Sequence, residues 1–120
     1  MALPASRAEP IQPTLAAFQS EATLRDNLLR SLDRFLAFLG LERRPDRIAP
    51  GSAYPDRSEI FLVPNHNWLR ITRVLHCLRL LGLEEQGRWL LDCLERLQAS
   101  GQAKITPDTL RYWRDAASPE

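Results

Sequence analysis

Apolar residues recur at three- and four-residue intervals along most of the chain, which is the spacing of amphipathic helices packed on a core. The clearest example is the segment 21–39, and Gly40 follows it where a left-handed C-terminal residue would end a helix. Its apolar stripe consists of Leu24, Leu28, Leu32, Phe35, Leu36 and Leu39. Pro13 predicts the start of a short separate helix anchored by Phe18, and residues 1–12 are expected to form a flexible tail.

The segment 41–64 interrupts this pattern with five residues that rule out a long helix, namely Pro45, Pro50, Gly51, Pro55 and Pro64. It is predicted to be a proline-rich crossover loop in which residues 60–63 form an extended segment over the core. Loops of this length in a compact domain are often functional or mobile.

Three further helices are predicted in the second half of the chain. Asn65 or Asn67 can cap a helix that ends near residue 81, and a short link leads to a second helix over 84–99. The sequence Thr106-Pro107 is a start signal for the last helix. In the first of these helices, Leu69 and Leu80 lie opposite the main apolar sector, which is typical of a helix central in its bundle.

These elements predict an all-α fold over residues 13–117, a single-domain bundle of about four main helices plus the short N-terminal helix, followed by a tail over 118–120. A chain of 120 residues is long enough for one domain with its own core. The predicted core consists of Phe18, Leu24, Leu28, Leu32, Phe35, Leu36, Leu39, Trp68, Ile71, Val74, Leu75, Leu78, Leu81, Trp89, Leu90, Cys93, Leu94, Leu97, Leu110 and Trp113.

The net charge of +1 argues against a polyanion as the main partner. No apolar run approaches the roughly 20 residues of a membrane span, and the first residues lack the apolar core of a secretory signal. Cys77 and Cys93 lie inside apolar helical segments, where buried free thiols of a reducing compartment are expected. We therefore expect a cytoplasmic protein.

The densest run of polar side chains begins at the predicted start of the second main helix, over 65–81. This polar string consists of Asn65, His66, Asn67, Arg70, Thr72 and Arg73. Free N–H groups at a helix N-terminus bind anions, and two arginines three residues apart share a face. The pattern indicates a binding surface for a phosphate or a carboxylate. The alternative is a capped helix whose arginines pair with acidic residues of neighbouring elements.

The residues do not indicate a catalytic or metal centre. His66, His76, Cys77 and Cys93 are the only soft metal ligands, and their spacing matches no zinc motif. No nucleophile–base pattern or phosphate-loop glycine pattern occurs, so no catalytic residue, cofactor or metal is expected. An enzyme in which the 41–64 loop covers His66 as a lid is kept as an alternative.

A nucleic-acid-binding domain is a second alternative, because the helices over 65–81 and 84–99 are joined by a short turn, as in a helix-turn-helix. The second helix carries Arg88 and Arg96 but also four acidic residues, which would repel phosphates. Nucleic acid is therefore the less favoured partner.

Residues 65–75 read Asn-His-Asn-Trp-Leu-Arg-Ile-Thr-Arg-Val-Leu, and residues 80–84 read Leu-Leu-Gly-Leu-Glu. These two sequences resemble the conserved region of the opioid growth factor receptor family, which carries a segment of the type NHNxLRITRIL…LGLE. The similarity extends over about residues 11–117 and includes Tyr112-Trp113 in the closing helix. The sequence does not contain the Trp-Leu-Phe-Pro-type motif that family members carry further upstream.

The resemblance implies a receptor for an opioid peptide, associated with the nucleus and its envelope, with no established catalytic residues. The polar string matches the family pattern residue by residue. We therefore expect a non-enzymatic binding domain whose partner is a protein, a peptide or an anion at the Asn65–Arg73 helix start. The oligomeric state is left open.

Overall fold

Helices dominate the computed structural model, which describes the backbone of residues 11–118 and the side chains of residues 21–118. In chain order the elements are α1 (Ile11–Leu39), β1 (Leu41–Arg43), β2 (Ile48–Pro50), α2 (Tyr54–Arg57), a 3₁₀ helix (Ser58–Phe61), α3 (His66–Leu80), α4 (Glu84–Ala99) and α5 (Pro107–Ala117). Of the described helices, none combines the length and the apolar character that crossing a membrane requires. The predicted tails lie outside the described residues, apart from positions 11 and 12 in α1 and Ser118.

The two predicted N-terminal helices form one continuous helix, α1. Neither glycine nor proline occurs between Thr14 and Leu39, so nothing interrupts the backbone hydrogen bonds. The side chain of Phe18 lies outside the described part of the chain. The protein divides into two compact units, Met1–Arg34 and Phe35–Glu120.

In the first unit, the predicted core position of Leu24 is wrong, because its side chain is 53% exposed. Leu28 is half-buried and Leu32 is buried. Helical periodicity identifies the face that can pack, but it does not show how far along that face the packing extends.

The segment 41–64 contains short elements that the hydrophobic pattern did not predict. Strands β1 and β2 pair antiparallel, with Leu41 opposite Pro50. The N–H of Arg44 donates to the carbonyl of Arg47 at 2.7 Å and closes the hairpin turn. Residues 60–63, predicted as extended, belong instead to the end of the 3₁₀ helix and the turn after it. The protein is therefore mostly helical rather than strictly all-α.

The core of the second unit is built around α3, which packs against both α4 and α5, while β2 packs against α4. Trp113 is fully buried, and its indole meets Trp68 edge to face with ring centroids 6.1 Å apart. The indole N–H of Trp113 donates to the carbonyl of Trp68 at 3.2 Å. This contact joins α5 to the first turn of α3.

Thirteen of the predicted core residues are buried, and the exceptions among the described side chains lie at the edges of the core. Phe35, Val74 and Trp89 are half-buried, and Leu81 is exposed. The core residues that were not predicted come mainly from the links between helices: Leu41, Ile48, Tyr54, Phe61, Leu83, Ala103, Ile105 and Ala117.

Candidate functional site

Asn65, one of the two residues predicted as caps, is the N-cap of α3. Its side chain makes three hydrogen bonds, all to groups of the protein itself. Its Oδ1 accepts from the N–H of Asn67 at 2.9 Å. Its Nδ2 donates to the carbonyls of Ile60 and Val63 at 2.9 and 2.8 Å. The indole N–H of Trp68 donates to the same Ile60 carbonyl at 2.8 Å. Asn65 therefore both starts the helix and attaches the preceding turn to it.

Two further members of the polar string also bond within the protein. Asn67 is buried, and its Oδ1 accepts from Nη1 of Arg70 at 3.3 Å. The Thr72 hydroxyl donates to the carbonyl of Trp68 at 3.2 Å, which is the oxygen that also accepts from Trp113. These side chains help to hold the first turns of α3 in place.

The remaining three members, His66, Arg70 and Arg73, are exposed. Their spacing of four and three residues places them on one face of α3. The Arg70 guanidinium lies 5.5 Å from the ring centroids of both Phe35 and Phe38, within the range of cation–π attraction. Within the described residues, the side chains of His66 and Arg73 make no hydrogen bond or ion pair.

The solvent side of α3 is one continuous row of exposed side chains, which we call the α3 outer face. It consists of His66, Leu69, Arg70, Arg73, His76, Cys77 and Leu80. Leu69 and Leu80 are 61% and 64% exposed, so this side of α3 is uncovered, although α3 packs against both α4 and α5 as expected for a central helix. The sequence showed both leucines opposite the buried sector, but it did not show that they form an exposed apolar part of this face.

The α3 outer face is cationic. No acidic residue occurs anywhere between Ile60 and Leu83, whereas the α3 outer face contains Arg70 and Arg73. In a chain of net charge +1, these arginines make the α3 outer face locally positive.

The two thiols differ, although both were expected to be buried. Cys77 is exposed on the α3 outer face, because it lies about 100° around the helix from the buried Leu78. Cys93 is buried, and burial raises the pKa of its thiol to about 11. Among the described residues, no group of three or more histidine, cysteine or acidic side chains could hold a metal ion.

A cavity of about 250 Å³ lies beside β2 and α4, away from the polar string. Its lining includes Ile48, Cys93 and Leu97, together with Arg47 and Arg96. Both arginines pair with neighbouring carboxylates, Arg47 with Asp46 at 3.4 Å and Arg96 with Asp92 at 3.0 Å. His66 does not line this cavity, so the cavity does not supply the lidded pocket of the enzyme alternative.

These features define a small, mostly helical domain in which one cationic helix face is exposed. Residues 5–118 match the family described as the opioid growth factor receptor (OGFr) conserved region, and the chain belongs to this family. The match covers nearly the whole chain and confirms the resemblance seen in the sequence. No curated protein and no solved structure matches the chain.

Proposed function

We propose that this OGFr-type domain is a non-enzymatic binding module that recognises a protein or peptide through the exposed members of the polar string. One observation carries the proposal. Asn65, Asn67 and Thr72 use their polar groups inside the protein, whereas His66, Arg70 and Arg73 face solvent together on one side of α3.

The chemistry of this surface suits a partner with carboxylate groups. The planar guanidinium of Arg73 presents paired donors that have no acceptor among the described residues, and carboxylates bind such a group with two parallel hydrogen bonds. Arg70 is already oriented by Phe35 and Phe38, so it loses less conformational entropy when a ligand binds. The family's name suggests an opioid peptide as one candidate ligand.

Arg73→Ala is the most direct test, because no side-chain hydrogen bond or ion pair among the described residues is lost with it. Protein captured by the immobilised wild-type chain is identified, and its affinity for each variant is then measured. We expect Arg73→Ala to weaken binding about tenfold, or ~1.4 kcal/mol, and Arg70→Ala/Arg73→Ala to weaken it further.

Arg88→Ala is the matched control, since Arg88 is exposed on α4 and its removal changes the net charge equally. It should leave affinity unchanged. Circular dichroism establishes that each variant is folded. A captured partner that retains full affinity for the folded Arg70→Ala/Arg73→Ala variant would show that the proposed surface is wrong.

A further inference from the structure

Five residues of the α3 outer face follow an alternating three- and four-residue spacing. They are His66, Leu69, Arg73, His76 and Leu80, which we call the α3 seam. This is the spacing by which one helix packs side by side with another. All five side chains are exposed, and the 15 residues of α3 give the seam a length of about 22 Å.

Exposed apolar side chains are concentrated in the segment of the chain that contains this seam. Eight large apolar side chains are exposed in the described part of the chain, and five of them lie within residues 62–81. Those five are Leu62, Val63, Leu69, Leu80 and Leu81. Exposed large apolar side chains are therefore more frequent in this segment than elsewhere in the described residues.

The charge pattern of the seam specifies what would complement it. Arg73 lies four residues after Leu69 and seven before Leu80, so a cation stands between two apolar contacts. The absence of acidic residues from Ile60 to Leu83 leaves this cation without a carboxylate in its own segment. A complementary helix needs apolar side chains towards both ends and a carboxylate between them.

We infer that the α3 seam binds an amphipathic helix of a partner protein, in which an acidic side chain faces Arg73 and apolar side chains contact Leu69 and Leu80. The inference rests on the proposed function and adds the chemistry of the partner. A single helix covers less than the roughly 1,000 Å² typical of a stable interface, so the complex is a weak and transient one.

A membrane surface and a nucleic acid complement this seam less well. Helices that lie in a membrane interface segregate their apolar and basic faces, whereas here Arg73 stands in the same row as the two leucines. If the seam lay in a membrane interface, the Arg73 side chain would be carried towards the acyl region together with Leu69 and Leu80. A phosphate backbone offers ion pairs to Arg73 but no apolar counterpart for Leu69 and Leu80.

A second copy of α3 also complements the α3 seam poorly. The seam is nearly symmetric about Arg73, so a two-fold contact between two α3 helices would place Arg73 against Arg73. The face contains no acidic residue that could separate these like charges. The charge pattern therefore favours a different, acidic helix.

An unbiased peptide selection tests the inference. A displayed library of random peptides of about 16 residues, long enough to span the seam, is selected on the full wild-type chain and counter-selected on Leu69→Ala/Leu80→Ala. We expect the enriched peptides to be net acidic, to carry an apolar stripe at helical spacing and to become helical on binding. Enrichment of neutral, basic or extended peptides would overturn the inference.

The affinity of an enriched peptide is then measured by fluorescence anisotropy. We expect Leu69→Ala/Leu80→Ala and Arg73→Glu each to weaken binding about tenfold or more. The Arg73→Glu variant should bind a peptide whose central acidic residue is replaced by lysine more tightly than it binds the original peptide, because the ion pair is restored with its charges exchanged. Tyr112→Ala, which removes an equally exposed apolar group from α5, should have no effect.

Other occupants give distinguishable results. Binding to phosphatidylserine-containing vesicles or to duplex DNA that is lost in Arg73→Glu, without selection of acidic helices, would overturn the inference. Self-association of the chain that is abolished by Arg73→Glu would also overturn the inference. If enriched peptides of another class lose affinity with Arg73→Ala, the acidic-helix inference fails while the proposed function stands. If no probe binds through α3, both fail.

Discussion

At the scale of single residues, the polar string separates side chains that build the protein from side chains that are available to a partner. Asn65 shows why residue type alone does not make this distinction. It accepts one hydrogen bond as a helix cap, and it donates two to the carbonyls of Ile60 and Val63. The cap function is local, whereas the donor function depends on where the preceding turn lies.

Asn65→Asp separates the two functions. Aspartate caps helices as well as asparagine, but it cannot donate, and its carboxylate would face two carbonyl oxygens. We expect the free energy of unfolding, measured with urea, to fall by about 1–3 kcal/mol. Asn27→Asp, at an exposed position of α1, should change it by less than about 0.5 kcal/mol. An Asn65→Asp variant as stable as wild type would mean that only the cap matters.

At the scale of elements, glycines with a positive φ end three of the helices. Gly40 follows α1 with φ 81°, Gly82 follows α3 with φ 83°, and Gly101 follows α4 with φ 83°. Residues with a side chain rarely adopt this conformation, so glycine is favoured at all three. Their surroundings differ, because a Cβ at Gly40 would lie 2.7 Å from the Cα of Tyr54, whereas nothing lies within 4 Å at Gly82 or Gly101.

Gly40→Ala and Gly82→Ala therefore measure different costs. At Gly82 only the backbone conformation is strained, and we expect a loss of about 1 kcal/mol in the free energy of unfolding. At Gly40 the backbone near Tyr54 must also move, so the loss should exceed that of Gly82→Ala by about 1–3 kcal/mol. Urea denaturation of both variants, with Gly101→Ala as a second open-space control, measures the difference. Equal losses would contradict the close packing of Gly40 against α2.

At the scale of the whole molecule, burial of ionisable groups makes stability depend on pH at the alkaline end. Burial raises the pKa of Cys93 from 9.0 to about 11, and burial also raises the pKa of Tyr54. The unfolded chain releases the thiol proton near pH 9, whereas the folded protein retains it up to about pH 11. The stabilisation is fully present below pH 9 and is lost as the pH rises towards 11, because the unfolded state then binds fewer protons.

Cys93→Ala should remove most of this dependence. Between pH 9 and pH 11, we expect the wild-type protein to lose roughly 2 kcal/mol more of its free energy of unfolding than Cys93→Ala loses. The comparison uses the change with pH, since the alanine variant is also less stable at neutral pH. Cys77→Ala, at an exposed thiol, should follow the wild type. Parallel pH profiles for wild type and Cys93→Ala would contradict the prediction.

The parts of the fold that the sequence predicts are those governed by interactions between residues close together in the chain. Asn65 and Thr106 accept hydrogen bonds from N–H groups two or three residues further on, and Gly40 ends α1. The helices after residue 64 therefore begin and end close to the predicted positions. The β1–β2 hairpin was missed because strands of three residues are too short to show an alternating pattern.

The sequence by itself determined the helices after residue 64, most of the buried positions of the second unit and the family. Only the tertiary structure decided which members of the polar string face solvent and that Leu69 and Leu80 are exposed. Helical periodicity assigns each side chain to a face, but a face is buried only where another element covers it. In the second unit, α4 and α5 cover the side of α3 that carries Trp68 and Ile71, and the packing of distant segments leaves the α3 outer face exposed.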